Sequence, residues 1–588
     1  MDKRYEALLD FVKRPGRYIG GEINAVKKDW DSADLRVVLV FPDLYEVGMS
    51  HLGIKSLYHI LNSREEILCE RVFSPWLDME SLLRKSGLPL VSLESNRRLD
   101  EFDIIGFSLS HELNYSNVLN ILDLSNIPIY TADRDEKSPV IIAGGPASFN
   151  PEPMASFIDI FLIGEGEEGV LELSRRFIDC KAKRHLNKRA DLLREFLDIQ
   201  GAYVPIFYKD EYDSKGFAAL LPKVNGAPSV VKKRSVSDFD SCFYPINQVV
   251  PNVGVVHDRI ALEVMRGCPN RCRFCQASTI YHPPRIRSRE AICELARKTV
   301  YATGYDSISL LSLSTGDYPD ILPLLESLIE KNKSDGISIS LPSLRVEHIT
   351  RDLPEVIRKV KKTGFTFAPE VGSEKLKKFI NKNIPRDVLL RSIASVLNEG
   401  WNRIKLYFMI GLPGEDDSDL ESILEMIAEI KALGGRQLKE MTISVSSFIP
   451  KPHTAFQWEP MAGKDILKAK TSYLMRGGRD KKIKMDVHNL DMSILEGVLS
   501  RGDRRLGKVI EKAFCKGARF DNWSDCFNPN IWRESFADCV IQPGAYTAEL
   551  SYDAPLPWGH IESGIDKTVL MRESVDAHRK AGIAKALS

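Results

Sequence analysis

The stretch RIALEVMRGCPNRCRFCQAS, residues 259–278, decides how this chain reads. RIALEVM (259–265) has the pattern of a buried strand. It runs directly into a loop that holds three of the ten cysteines, Cys268, Cys272 and Cys275, within eight residues. Further strand patterns follow at 306–314, 336–343, 364–370, 403–411 and 441–449, with helical patterns between them. That is about six βα units in roughly 200 residues. The alternation predicts a central partial (βα)6 barrel over 258–469. Chemistry in βα barrels sits at the carboxyl ends of the strands, and the cysteine loop follows the first strand at that end.

Upstream, a second alternation covers 35–178. LRVVLVF (Leu35–Phe41), FDIIGFSLS (Phe102–Ser110), PVIIAGGP (Pro139–Pro146) and the start of DIFLIGEGEEG (Asp159–Gly169) read as strands. Gly48–Ser63 and Tyr115–Leu124 read as helices. Such βαβ units predict an α/β, doubly wound domain, whose ligands lie beyond the carboxyl ends of its strands. Those ends carry Gly48, Ser108, Ser110, Gly144 and Gly145. Residues 1–34 read as a helical extension, 179–257 as a β-rich linker, and 470–588 as a mostly helical C-terminal region.

The chain has 588 residues, a formal net charge of zero, 43% hydrophobic and 28% charged residues. Its length suggests roughly two to four domains. Its charge balance points to no acidic partner as a whole. The N-terminus is charged from its second residue and has no apolar core of a signal peptide. The apolar runs are strand-length. The scattered remaining cysteines suggest buried thiols in a reducing, cytoplasmic setting.

Three thiolates in one loop are a specific number. A structural zinc site is normally closed by four ligands, and no paired CxxC follows downstream. His282 and His348 do not stand at zinc-finger spacing. A disulfide reading needs an even number and an oxidising compartment. An iron–sulfur cluster remains, and one that usually takes four thiolates would here keep one iron open.

The C-x3-C-x2-C spacing, with Phe274 before the last cysteine, resembles the signature of the radical SAM superfamily. The resemblance implies a 4Fe–4S cluster on Cys268, Cys272 and Cys275. It implies S-adenosylmethionine (SAM) on the open iron, and reductive cleavage to a 5′-deoxyadenosyl radical. Other positions match the superfamily's SAM-binding places. Phe274 would pack near the adenine. Ser314 and Asp317, in SLLSLSTGDY, lie where a methionine-binding triplet falls, though the triplet itself differs. Glu370, ending a strand, has two readings, a polar contact to SAM or a helix cap or lysine partner. Gly411, in YFMIGLPGE, reads as an approach to the adenine or as plain turn chemistry. No catalytic acid or base is assigned.

The N-terminal domain resembles the cobalamin-binding domain of many radical SAM proteins, with Gly48, Ser108, Ser110, Gly144 and Gly145 as the matching positions. The cobalt-ligating DxHxxG motif is broken: Asp43 to Gly48 has Tyr45 where histidine would stand. GEGEEG (Gly164–Gly169) fits a GxGxxG pattern, but its glutamates would repel a pyrophosphate, and it reads as a tight turn. FCQAS, LPSLR (Leu341–Arg345), FIPKPHTAFQW and LPWGHIESG extend the likeness over nearly the whole chain. It resembles a bacterial family of B12-binding-domain radical SAM proteins of unassigned reaction. The resemblance implies a small radical-SAM-linked companion protein and an electron donor such as flavodoxin or ferredoxin. It suggests cobalamin-assisted methyl transfer to a bulky RNA or protein substrate. The alternatives are hydrogen abstraction without cobalamin, methylthio transfer, and a non-catalytic Fe–S module. Methylthiotransferases hold a second cluster on three N-terminal cysteines, whereas this chain has only the scattered Cys69, Cys180 and Cys242 before the motif. Basic runs at Lys181–Arg194 and Arg479–Arg505 suggest a nucleic-acid face or merely solvated surface.

Overall fold

Leu35–Phe41 (β1) is apolar at nearly every position and is an inner, almost wholly buried strand of its sheet. The computed structural model describes residues 3–182, 188–214, 216–332, 336–340, 364–480 and 483–585. The strand pattern at 341–343, LPSLR, His348, the helical pattern at 353–363, and residues 183–187 and 481–482 of the basic runs lie outside them.

The first sheet adds Ile67–Phe73 (β2), Ile104–Ser108 (β3), Val140–Gly144 (β4), Ile160–Leu162 (β5) and Ala202–Tyr203 (β6). Its order is β2-β1-β3-β4-β5-β6, parallel except for β6. The order reverses between β1 and β3, which places the ligand crevice of a doubly wound fold above β1, β3 and β4. The sequence pattern did not place β2. Glu70 and Arg71 stand in its middle, yet both are buried. Arg71 is paid off by Glu94 (2.6 Å) and Glu22 (3.1 Å), so a charged run is fully internal.

The next two sheets are parallel and run in chain order. Ile260–Glu263 (β7), Ser307–Leu311 (β8) and Ser338–Ser340 (β9) form one. Phe365–Glu370 (β10), Arg403–Ile410 (β11), Glu440–Ser447 (β12) and Lys484–Val487 (β13) form the other. This is the strand succession of an open βα barrel. The strand β13 is a seventh, beyond the six expected, because KMDV alternates charge and apolar residues at a sheet edge. The boundaries read at 178 and 469 fall inside helices Gly166–Ala182 and Lys464–Asp480. Part of the linker, β6, belongs to the first sheet.

Two large cores result. One gathers residues 244–474. The other joins the N-terminal sheet to the C-terminal helices, from Leu495 to Tyr546. Helix Leu506–Cys515 lies against Tyr115–Leu124. Behind β1, Asp43 accepts from Asn522 (2.6 Å) and from the Trp523 indole (3.0 Å), and Asn117 accepts from the Phe520 amide (2.9 Å). Among the described residues no helix is long and apolar enough to cross a membrane.

Replacing Asp43 by Ala strands the Asn522 and Trp523 donors, at a cost of about 2 kcal/mol. The urea midpoint should fall with an unchanged slope. An unchanged midpoint would mean that these bonds do not hold the C-terminal segment.

Candidate functional site

The cysteine loop is closed at its base by a short antiparallel pairing of Met265–Arg266 with Arg285–Ile286. Gly267 turns the chain at φ +83°, and a Cβ there would lie 2.6 Å from the Tyr281 carbonyl oxygen. Only glycine fits. Cys268, Cys272 and Cys275 are all half-buried, and none is in a disulfide. The Cys275 amide donates to the Cys272 carbonyl at 3.0 Å, and helix Gln276–Ile280 starts immediately after. One tetrahedral zinc would bring its sulfurs to about 3.8 Å of one another. Among the described residues these three sulfurs form no set within 4.8 Å. Three soft donors on a single loop fit an iron–sulfur cluster. Burial foremost, and then the neighbouring Cys268, pushes the Cys275 thiol up. Metal ligation would relieve this by holding it as thiolate.

The loop is braced from three directions. Arg273, almost fully buried, donates to the Lys378 and Phe379 carbonyls (2.8 and 3.0 Å) and to Glu573 (3.0 Å) of the C-terminal helix Lys567–Ala581. Asn381 donates to the Arg271 carbonyl at 2.9 Å. Arg266 bonds Glu263 (2.8 Å) and Glu167 (2.6 Å), while Arg285 is held by Glu165. The GEGEEG segment is thus the clamp on the loop's base. Its glutamates, a disadvantage for phosphate, are what it needs for arginine.

The residues read as SAM contacts divide into two groups. Ser314 donates to Asp317 at 2.6 Å. Asp317 accepts from Asn270, whose amide also reaches the Cys268 sulfur at 3.6 Å. Nothing in the cysteine spacing marks Asn270. On the other side, Phe274 packs against an apolar cluster that includes Val371, Met409 and Leu412, close in sequence to Glu370 and Gly411. Glu370 has φ +69° at a bulge in β10, and its carboxylate takes Lys382 at 2.9 Å. Gly411, at φ +83°, donates its amide to Glu415 (2.6 Å), which is buried and paired with Lys470 (2.8 Å).

The N-terminal sheet meets this loop at its β3 and β4 ends. Helix Gln276–Ile280 packs on the turn Pro146–Phe149 that follows Gly145. Gln276 donates to the Pro452 carbonyl (3.2 Å), and His453 bonds the Phe149 carbonyl (2.8 Å). Next to Pro452, Lys451 lies between Glu112 (2.9 Å) and Glu496 (2.8 Å), with His111 3.4 Å from Glu496. His111, Glu112 and Glu496 stand close enough to hold an ion, and the Lys451 ammonium bonds two of them as their cation. Ser108, Ser110, Gly144 and Gly145 are half-buried along this junction, and the Ser110 hydroxyl has no hydrogen-bond partner. Gly145 has φ +112°, and a Cβ there would meet the Leu109 carbonyl at 2.6 Å. Gly48 differs: it is buried, and a Cβ there would strike the Phe73 ring at 2.2 Å. Tyr45 is likewise committed, its hydroxyl donating to Glu22 at 3.1 Å.

Residues 53–205 match the family described as radical SAM proteins, N-terminal, and residues 262–427 match the radical SAM superfamily. The chain is a radical SAM enzyme. The uncharacterized protein MJ0966 of Methanocaldococcus jannaschii is 29% identical over 480 residues, covering 81% of this chain and 90% of that protein. A tRNA-2-methylthio-N(6)-dimethylallyladenosine synthase of Pelotomaculum thermopropionicum is 28% identical over 192 residues, 29% of this chain and 40% of that protein. Among solved structures, TsrM from Kitasatospora setae with cobalamin and a 4Fe–4S cluster aligns at TM-score 0.46 and 12% identity, covering 70% of this chain and 74% of that one. OxsB with aqua-cobalamin and S-adenosylmethionine aligns at TM-score 0.46 and 13% identity, covering 92% of this chain and 79% of that one.

The radical SAM cofactors are the cluster and SAM, and Cys268, Cys272 and Cys275 are the residues whose chemistry fits the cluster. A corrinoid fits in part. The junction at β3 and β4 holds the unpartnered Ser110 hydroxyl, while at the β1 end Tyr45 is bonded to Glu22 and the His51 ring, 5.2 Å from Phe41, accepts from the Ile54 amide through Nδ1.

Replacing Glu165 by Gln leaves Arg285 and Arg266 short of charge beside the loop. Reconstituted protein should retain at least severalfold less iron after desalting, with far-ultraviolet dichroism unchanged. Equal iron content would show that the clamp is dispensable. A second expectation concerns pH. Burial lowers the His111 pKa, but Glu496 and Glu112 outweigh it and the repulsion of Lys451, so the net shift is upward. The His111–Glu496 contact therefore stabilises fully below about pH 6.5, the ordinary histidine value, and fades as pH rises through the raised value. The gap in urea midpoint between wild type and His111→Gln should be larger at acidic than at alkaline pH.

Proposed function

We propose that the enzyme directs its radical into the junction between the cysteine loop and the β3 and β4 ends, and modifies a substrate held there. The observation that carries this is the direct packing of helix Gln276–Ile280, which begins at the last cysteine, on the turn after Gly145. The chemistry supplied by the bound cofactors is one-electron cleavage of SAM to methionine and a 5′-deoxyadenosyl radical, which takes a hydrogen atom from its target. The chain's own residues supply the rest. Arg273 and the Arg266–Glu165–Glu167 clamp hold the loop rigid. Val371, Met409 and Leu412 with Phe274 form an apolar wall that excludes water from one side. Lys451, His111, Glu112 and Glu496 line the junction with balanced charge.

The leading reaction is group transfer, with a corrinoid in the same junction as methyl carrier. Ser108, Ser110, Gly144 and Gly145 are the residues that would meet it. The second reading, hydrogen abstraction without corrinoid, is favoured by the closed β1 end, where Asp43 is spent on Asn522 and Trp523. Methylthio transfer has less support. Cys69 and Cys180 are buried, one in β2 and one in helix Gly166–Ala182, and burial pushes the Cys69 thiol well up. Part of the basic runs is engaged within the chain, while Lys181, Lys188, Arg194, Arg479 and Lys484 are exposed. Arg189 is bound to Asp159, Arg504 to Glu152 and Arg505 to Asp503, and Arg501 donates to the Glu459 and Ala548 carbonyls. A low-potential donor of the flavodoxin or ferredoxin class is the implied source of the electron, and a small companion protein the implied partner.

The test is anaerobic reconstitution with iron and sulfide, then SAM and dithionite. Wild type should release 5′-deoxyadenosine and methionine in equal amounts, and Cys272→Ala neither. No release from cluster-loaded wild type would overturn the enzyme reading. Hydroxocobalamin retained at about one per chain, and lost in Gly145→Val, would support methyl transfer in the junction. No retention would leave hydrogen abstraction as the reading.

A further inference from the structure

We propose that the inside of the barrel holds an oxyanion of the substrate, a phosphate or a carboxylate, on the Lys405 ammonium and the hydroxyls that flank it. The other end of that molecule then lies at the cysteine loop. The proposal rests on the reading above, in which the radical forms at that loop. The observation behind it is separate: the barrel strands turn a row of polar side chains away from the core, and no described carboxylate neutralises the ammonium among them.

Side chains alternate between the two faces of a strand. In β11, Ile404, Leu406, Phe408 and Ile410 belong to the core between strands and helices, so Lys405, Tyr407 and Met409 face the barrel interior. In β12, Ile443 and Val445 belong to that core, so Thr442, Ser444 and Ser446 face inward. Thr366 of β10 faces inward between the core residues Phe365 and Phe367. The register sets Thr366, Lys405, Thr442 and Lys484 side by side on β10 to β13. The next rank toward the cysteine loop is Tyr407, Ser444 and Asp486. Neighbouring strands lie about 4.8 Å apart, so a compact anion at Lys405 has a threonine hydroxyl on either side.

The Lys405 ammonium stands over the Tyr407 ring, 4.8 Å from its centroid, and among the described residues no carboxylate pairs with it. The carboxylates nearer the catalytic end are spent, Glu263 on Arg266 and Glu370 on Lys382. Asp486 is exposed and shares the solvated edge strand with Lys484. Ser444, 2% exposed, and Ser309 of β8, 4% exposed, make no hydrogen bond through their hydroxyls among the described residues. Buried hydroxyls without partners are costly, and an oxyanion accepts from hydroxyls and ammonium alike. At a rise of about 3.3 Å per residue, Tyr407 lies about 7 Å below Met409. Met409 belongs to the apolar cluster on which Phe274 packs, next in sequence to Cys275. Leu311, two residues beyond Ser309 on the same face of β8, is 40% exposed. The interior thus fits a molecule with an oxyanion at one end, an apolar middle, and its reacting carbon about 7 Å or more from the anion.

The experiment titrates the full chain with inorganic phosphate and, separately, with succinate, and reads the rise in thermal midpoint. Sodium chloride at matched ionic strength is the reference. Each titration is repeated on cluster-loaded protein with SAM present. Wild type should bind at least one of the two anions, and the tighter one tells whether the oxyanion is a phosphate or a carboxylate. Lys405→Met should weaken that binding about tenfold, the worth of one hydrogen bond to a charged group. Lys439→Met, which removes an exposed charge just before β12, should bind as wild type does. Thr442→Val should weaken binding by a smaller factor, and it decides if Lys405→Met does not fold. A midpoint that rises no more than in sodium chloride would overturn the proposal. So would wild-type binding in folded Lys405→Met, or in Thr442→Val where the first variant fails. Loss of anion binding once SAM is present also overturns it, because the oxyanion held is then the carboxylate of SAM. A wild type that binds the anion and releases no 5′-deoxyadenosine keeps the oxyanion site and loses the enzyme reading, and release without anion binding does the reverse.

Discussion

The grip of Glu165, Glu167 and Glu263 on Arg266 and Arg285 is the constraint from which the rest of the site follows. A cysteine loop has few apolar contacts of its own and must be held at both ends to present three thiolates together. The arginines flank it on the two strands of its base, and the glutamates come from β7 and from the turn after β5 of the other unit. These carboxylates and guanidiniums are largely out of water, so each is costly alone and tolerable only in company. The interface and the loop geometry are therefore one structure.

The far side of the loop is held by different physics. Arg273 is buried against backbone carbonyls, and Phe274 sits on an apolar cluster that includes Ala577 of the C-terminal helix. Three parts of the chain that are distant in sequence thus converge on one short segment. The Lys451 contact closes the triangle, tying the strap after β12 to the N-terminal unit and to helix Leu490–Ser500. An ammonium between two carboxylates fixes distance as well as charge, which suits a cleft that must keep its width.

What could be read in the sequence was local in character. The cysteine spacing, the apolar strands β1, β3, β4 and β10–β12, and the turn at Gly145 depend on residues within a few positions of one another. What escaped was set by long-range pairing. The strand β2 looked too polar because Glu22 and Glu94, which neutralise Arg71, are not its neighbours in sequence. The edge strand β13 is short and half-solvated. Lys451 and Glu112 are 339 positions apart, and Asn270 reaches across 47 positions to Asp317. Gly48 matched a ligand motif but is required by the Phe73 ring, a contact no linear pattern encodes.

The shared core of the N-terminal sheet and the C-terminal helices has a consequence for the order in which the molecule is made. The sheet and its linker emerge first, and the helices that cover them, from Leu495 onward, follow only after the whole barrel has been translated. At roughly 5–20 residues per second, that interval is on the order of ten seconds or more. During it, the face bearing Asp43, Asn117 and Trp76 stands without its Phe520–Trp523 cover. The same interval leaves the cysteine loop without its brace from Glu573 and Ala577. The far side of the cysteine loop therefore gains its brace only once helix Lys567–Ala581 has been translated.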